Sequence, residues 1–412
     1  MAFTIDKETM HTIVAGACVL ASGGGGSYQV AQKIIEEGVL DQDHVKVVDL
    51  DEIAKEPGAW LAASANMGAP DALFKTTNPR APTHAYQAME QQLLQLKAFN
   101  PRFAGFPESG FSWVLPIEVG AINSASPLTV AAQLGRSRPG FAVVDADGAG
   151  RSIPTLSLTV FAANGMPVSP AVVASESLNP SEQDLAAIRY NSGTIWVDDE
   201  VAAEDAIVGL VMSSPFGGIA GMSMYPFMAG DLLTRTPPVP GTLSLALRIG
   251  RLLESLTGRE RAEAVADCIR QEGRASAVIW HGRVTKVVQS EGGVDVGRIE
   301  LDDASGSGVT FTIYNENENV YAMRSDSAVP VVLGPDSISY VTAGRDPLAI
   351  DNSDMNRLYR EHPDTRLELF VLAIQAAPEM RNPVIIENFA SVNRSLGYGG
   401  AYHPWPPLSV QE

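Results

Sequence analysis

Apolar positions recur with helical spacing over residues 7–20, where Ile13, Val14, Ala17 and Cys18 share one face behind Asp6, a residue suited to an N-cap. A second helix is predicted up to about Glu37 and is closed by Gly38. Short apolar runs then read as strands over 45–50, 60–65, 111–118 and 141–145. Helices over 84–98 and 126–135 separate them, the latter with Pro127 in its first turn. Strand and helix in alternation predict an α/β layered domain with a largely parallel sheet. After Pro154 the pattern shifts to short extended segments over 156–161 and 170–175, strands over 194–197 and 219–225, and a helix start at Asp198-Asp199-Glu200. Two amphipathic helices follow, over 243–256 and 261–271. Their long apolar faces need a broad partner, and they are expected to pack on the α/β domain, because helices cover parallel sheets. From residue 275 onward strands dominate: 277–288, 298–301, 309–314, 329–333, 339–341 and 367–373. Gly, Asp, Ser and Pro punctuate them, which predicts a β-rich domain of the small-barrel kind. The expected units are an α/β domain over 1–168, a mixed segment over 169–275 and a β-rich domain over 276–412.

Several strand ends carry the residues that chemistry needs. In open α/β sheets ligands bind outside the carboxyl ends of strands. The strand over 141–145 runs into Asp145-Ala146-Asp147-Gly148-Ala149-Gly150-Arg151, with Glu118 and Asn123 following the previous strand. Carboxylates that converge on a cleft serve as acid/base pairs or as ligands for a divalent ion. Arg151 either pairs with Asp147 or holds a substrate carboxylate, and the same stretch also reads as an acidic turn. Asn66-Met67-Gly68 closes the strand over 60–65 and reads either as ligand-facing or as a turn. Gly23-Gly24-Gly25-Gly26-Ser27 stands before a helix N-terminus, where free N–H groups favour an anionic or carbonyl-bearing ligand. The alternative is a loop that needs positive φ between packed helices. It is neither a phosphate-binding Walker loop, since no Lys follows, nor a dinucleotide fingerprint, since a helix precedes it. No nucleotide cofactor is expected.

Composition narrows the classes. Of 412 residues, 45% are hydrophobic and 19% charged, so the chain can build a sizeable core. The net charge is −19 and no basic stripe interrupts it, which argues against nucleic acid and against anionic membrane surfaces. The N-terminus lacks the pattern of a signal peptide and no apolar run is long enough to span a bilayer, so a cytoplasmic location is expected. Cys18 and Cys268 make no disulfide framework, and the six histidines show no HxxxH or HxH spacing. A GxSxG elbow is absent. Cys18 reads as a buried structural thiol. The polar run Asn315-Glu316-Asn317-Glu318-Asn319 reads as a solvated strand end, of interest only if it faces the α/β domain.

Taken together, ASGGGGSY, NMGAP, PIEVGAINSASPLTVAA, VVDADGAGRSIP, VPGTLSLALRIG, YNENE and LGYGGAYHPW occur in an order that resembles the S-methyl-thiohydantoin desulfurase family, over nearly the whole chain. The resemblance implies a three-layer α/β domain, a barrel-like C-terminal domain and hydrolytic removal of a sulfur substituent from a five-membered cyclic ureide-like ring. It also implies a divalent metal ion, zinc or similar, and a hydantoinase/oxoprolinase-type neighbour. Ala121, Ser152 and the Leu396-Gly397-Tyr398-Gly399-Gly400 tail depart from the family pattern, which suggests a pocket for a different ring substituent.

The expectation is thus a hydrolase of a hydantoin-like small molecule. Asp145, Asp147 and Glu118 are expected as base or metal ligands, Arg151 as an orienting group, and Gly23 to Ser27, Asn66 to Gly68 and Asn123 as substrate contacts in one pocket. The competing expectation is a non-catalytic accessory subunit that binds a hydantoinase/oxoprolinase-type enzyme. A homo-oligomer is expected in either case.

Overall fold

The computed structural model describes residues 2–68, 74, 76–177, 189–290, 296–364 and 366–406. Strands β1 (Phe3–Ile5), β2 (Val45–Val48), β3 (Trp60–Gly68), β4 (Trp113–Pro116) and β5 (Ala142–Val144) begin one sheet. A short β6 (Ala146–Asp147) follows, then β7 (Ala171–Ser177), β8 (Arg189–Ile195), β9 (Ile219–Met228) and a short β10 (Val239–Pro240), which pairs with β6. The large sheet runs in the order β1-β2-β5-β4-β3-β9-β7-β8. Pairing is parallel from β2 through β5 and β4 to β3, and antiparallel at both flanks. The parallel strands read as unbroken apolar runs because both faces are covered. Val47 and Val143 enter one core while their neighbours Val48 and Val144 enter the other.

One face carries helices α1 (Lys7–Leu20), α2 (Tyr28–Gly38), α3 (Ala81–Leu96) and α4 (Ala121–Gly135). The other carries α5 (Glu200–Val211), whose Ala203, Ile207 and Val211 are buried. The architecture is α/β with a parallel-rich sheet. The sheet outruns residue 168, since β7, β8 and β9 complete it. Residues 156–161 are not extended: a 3-10 turn (Leu156–Leu158) leads into a short helix (Val160–Ala163), because the Thr159 hydroxyl caps it by accepting from the Ala162 N–H at 3.1 Å. Helix α4 begins at Ala121, ahead of the expected start, and encloses Pro127.

Helices α6 (Thr242–Ser255) and α7 (Gly258–Gln271) part company. α6 lies across α1 backbone to backbone: a Cβ at Gly16 would sit 1.9 Å from the Ala246 carbonyl oxygen, and one at Gly250 2.0 Å from that of Thr12. α7 packs instead on the C-terminal sheet, where Arg261 donates to the carbonyls of Thr342 and Gly344. Its apolar stripe of Ala262, Val265, Ala266 and Ile269 finds Phe370, Leu372 and Ile374 there.

The second sheet is antiparallel and nearly closed, in barrel-like fashion. It comprises β11 (Ser276–Gln289), β12 (Val296–Leu301), β13 (Phe311–Glu316), β14 (Glu318–Arg324), β15 (Val332–Leu333), β16 (Ser337–Thr342) and β17 (Glu368–Ile374), in the order β15-β14-β13-β12-β11-β17-β16. β14 and β16 also approach each other, which draws the ends together. β13 turns directly into β14 through Asn317, whose φ is +53°. Helices α8 (Asn352–Glu361) and α9 (Pro383–Ser395) complete this half. Among the described residues no helix is long and apolar enough to cross a membrane.

Candidate active site

The carboxyl ends of β3 and β4 open on a cavity of about 270 Å³. Gly23, Gly24, Gly25, Gly26, Ser27, Asn66, Met67, Gly68, Glu118 and Asn123 all line it. The structure thus brings these predicted residues together. It also adds Glu204 from α5, Asn317 and Glu318 from the β13–β14 turn, and Asp351, Asn352 and Ser353 at the start of α8.

The glycine loop is shaped by close approach on every side. Ser22, Gly23, Gly25 and Gly26 have φ between +52° and +85°. A Cβ on Gly24 would stand 2.0 Å from Glu318 Oε1, and one on Gly26 2.4 Å from the Ile122 side chain. Without side chains, the loop lets its main chain reach both halves of the molecule. Asn319 and Asn352 donate their N–H groups to the carbonyls of Ser22 and Gly23, at 2.7 and 2.8 Å. The Gly25 N–H donates to Glu318 Oε1 at 3.2 Å, and the Gly25 carbonyl accepts from Ile122 at 2.9 Å. Ser27 caps α2, and its hydroxyl donates to Asp354 Oδ1 at 2.8 Å. The loop thus combines positive φ with a place on the cavity lining.

Of the carboxyls that line the cavity, Glu118 and Glu318 reach it from opposite halves of the chain. Glu118 is 6% exposed; Oε1 accepts from Asn123 Nδ2 at 2.6 Å and Oε2 from the Ile153 N–H at 2.8 Å. Burial, and then the nearby Glu318, push its carboxyl well above the usual range. Burial pushes Glu318 up to about 7, with Arg151 opposing the rise. Glu318 Oε2 is buried without a hydrogen-bond partner. Burial also pushes Glu204 up to about 7, although it accepts from the Leu156 N–H at 2.9 Å. Asp351 caps α8 and accepts from the Asp354 N–H at 2.7 Å; burial and the Asp354 charge hold it well above its ordinary value. Asn66 is 8% exposed, and neither Oδ1 nor Nδ2 has a partner.

Asp145, Asp147 and Arg151 do not line the cavity, which corrects the expectation that they would share one pocket with Glu118. Asp145 caps α6, accepting from the N–H groups of Leu243 and Ser244 at 2.9 and 3.0 Å and from the Ser244 hydroxyl. Asp147 folds its own loop by accepting from the N–H groups of Ala149 and Gly150 at 2.6 and 2.5 Å. Burial pushes its carboxyl up to about 6. Arg151, 1% exposed, donates to the carbonyls of Ser152, Asp336 and Asn319 and lies over the Phe389 ring, so it ties the two domains together behind Glu318. It is not the ion-pair partner of Asp147. The strand β5 ends one step before these residues, and the chain turns into β6 there instead of opening on the cleft.

Glu318 lies in the polar run singled out in the sequence, and that run does face the α/β domain. The start of α8, Asp351-Asn352-Ser353-Asp354, went unread, although an Asp three residues before another acidic residue is an N-cap signature. Glu204 carries no local signal beyond its helix.

The donors do not fit the divalent ion that the resemblance implies. Among the described residues no three His, Cys, Asp or Glu side chains gather to hold a metal ion. Both oxygens of Glu118 already accept from N–H groups.

Residues 8–182 match the S-Me-THD-like N-terminal domain, and residues 198–404 match the S-Me-THD-like C-terminal domain. The chain belongs to the S-Me-THD-like family. That agrees with the S-methyl-thiohydantoin desulfurase resemblance read from the sequence motifs. The fold is also similar to that of a Chromobacterium violaceum protein, Northeast Structural Genomics Consortium target CvR68, known from an X-ray crystal structure. The two are 26% identical with a TM-score of 0.79, over 98% of this chain and 100% of that one. No protein of curated function matches the chain significantly.

Proposed function

We propose that the protein is a hydrolase that removes the sulfur substituent from an S-methyl-thiohydantoin-like ring, giving methanethiol and a hydantoin. The observation that carries this reading is Asn66. Its amide presents one unpartnered acceptor and one unpartnered donor in a cavity shared with Glu118 and Glu318. A lactam edge, H–N–C=O, satisfies both at once, and a buried amide left unpaired is costly. Membership of an S-Me-THD-like family points to the same ring class.

Glu118 and Glu318 divide the work. They are like groups in one desolvated space, so they hold a single negative charge near neutral pH. Arg151 behind Glu318 favours the charge there, and Glu118 keeps the proton. Glu318 takes a proton from water, whose oxygen bonds to the ring carbon bearing sulfur. The C=N electron pair moves to the ring nitrogen, which is protonated. The tetrahedral carbon then re-forms C=O as the C–S bond breaks. Glu318 returns the proton it took from water to the ring nitrogen, and Glu118 gives its proton to the departing methanethiolate and regains one from the carbinol hydroxyl as C=O re-forms. Asn123, bonded to Glu118, holds that acid in place.

The test is methanethiol release from an S-methylated thiohydantoin, followed with a thiol reagent. The wild-type protein should release thiol, and Glu318→Gln should lower the rate by about 10²- to 10⁴-fold, as loss of a positioned base does. If the wild-type protein binds the ring and releases nothing, the hydrolytic reading fails and the accessory-subunit reading replaces it.

A further inference from the structure

One margin of the large sheet is left open. β8 is the last strand there, and among the described residues no strand pairs with its outer edge. Free edges are usually blunted by Lys, Pro, a bulge or short length. β8 spans seven residues without Lys or Pro, and its register with β7 runs unbroken from Ser177 opposite Arg189 to Ala171 opposite Ile195. At the other margin, β1 has three residues.

Helix α5 lies on β8, where a Cβ on Gly193 would stand 2.6 Å from Leu210 Cδ2. Its Ala203, Ile207 and Val211 are buried, yet its outward residues are apolar as well. Val201, Ala202, Ala206, Gly209 and Met212 are exposed, Val201 by 58%. Of the residues exposed over 201–212, Asp205 alone is ionised. A helix that is apolar on every side is ordinarily enclosed. Just past β8, Trp196 is 45% exposed, and its ring stands edge-on to that of Phe103 with centroids 6.2 Å apart. This end of β8 is about 20 Å along the strand from Arg189. The carboxylates at the border are engaged: Asp198 accepts from the Ser169 hydroxyl, and Asp199 caps α5 by accepting from the Ala202 N–H at 2.9 Å. An aromatic residue among uncharged neighbours, with charge kept to the rim, is the anatomy of a protein interface.

We propose that two copies of the chain associate here, the outer edge of β8 and the outward face of α5 of one protomer meeting the same elements of its partner about a twofold axis. Charge selects the occupant. Each copy has a net charge of −19, so two copies repel least where the facing surfaces are neutral, as this one nearly is. Antiparallel pairing of edge strands also satisfies main-chain groups on both sides at once. The proposal does not rest on the hydrolase reading. Light scattering after gel filtration tests it, and the wild-type protein should carry twice the mass of one chain. Ala202→Glu and Ala206→Glu each add a carboxylate to the outward face of α5. Each should halve that mass and leave the far-ultraviolet dichroism unchanged, since both sites are exposed and Glu is a good helix former. Gln271→Glu, exposed on α7, adds the same charge elsewhere and should leave the mass doubled. Sodium chloride should tighten the wild-type dimer, because screening weakens repulsion between the copies. A single-chain mass for the wild type, as when a hydantoinase-type protein covers this face instead, overturns the proposal. So does a doubled mass in both α5 variants, a halved mass in Gln271→Glu, or a dimer that loosens in salt.

Discussion

Glu318 has an uneven environment: a main-chain N–H on one oxygen, nothing on the other, and a guanidinium behind. That makes it the group whose protonation should set the acid limb of activity. Thiol release should rise as pH climbs through about 7, where Glu318 ionises, and fall at higher pH as Glu118 loses its proton. A pH–rate profile that stays flat from 5 to 9 would remove both from the mechanism. Asp147 gives the contrast. Its carboxyl is raised to about 6, so its contribution to folding is full below about pH 4 and is lost as pH rises through 6. Asn in its place keeps an oxygen for the Ala149 and Gly150 N–H groups and carries no charge. The melting temperature of Asp147→Asn relative to wild type should therefore improve between pH 5 and pH 7.5, with turnover within about twofold. A rate loss of a hundredfold without a change in melting would return Asp147 to the chemistry.

At the scale of elements, the crossing of α1 and α6 sets where the glycine loop begins. The loop leaves the end of α1, and α6 is anchored at its own start by Asp145. Gly16→Ala or Gly250→Ala drives a methyl into a carbonyl oxygen that belongs to helical backbone, so neither side can yield easily. Each should cost about 3 kcal/mol or more, at or above the upper range for overpacking, read from urea midpoints. Nothing in local sequence announces that contact, since a lone glycine in a helix looks like lost propensity. The elements that were legible are those with strong periodicity or continuous apolar runs: α1, α2, α6, β3 and β5. The glycine loop was legible because four glycines in a row have few uses. β14 was not, because its strand begins inside a polar run, and its first residues, Glu318 and Asn319, are buried against the loop rather than against a hydrophobic core. Asp145 and Asp147 misled for a related reason. Acidic residues at a strand end serve equally well as caps, and only the position of α6 decides between the two.

At the scale of the whole molecule, the buried carboxyls act together. Glu118, Glu204, Glu318, Asp351 and Asp354 are all raised by burial, so the folded chain holds protons that the unfolded chain releases above about pH 4. Stability should accordingly fall from pH 5 to pH 8, and urea midpoints that rise over that range would contradict the assignment. The seam between the halves behaves differently. Its bonds join the Ser22 and Gly23 carbonyls to the N–H groups of Asn319 and Asn352, and the Ser22 hydroxyl to the Ile338 N–H at 3.0 Å; within the C-terminal half the Tyr340 hydroxyl holds the side-chain oxygens of Asn319 and Asn352, each at 3.0 Å. Those groups are neutral, and the charged members of the seam, Arg151 on the Asn319 and Asp336 carbonyls, Glu318 on the Gly25 N–H and Asp354 on the Ser27 hydroxyl, are buried, where counter-ions screen them little. For a chain of net charge −19, dissolved ions should relieve long-range self-repulsion while leaving that junction intact. Such a protein is suited to brine: in molar sodium chloride its two halves should stay docked and melt as one body.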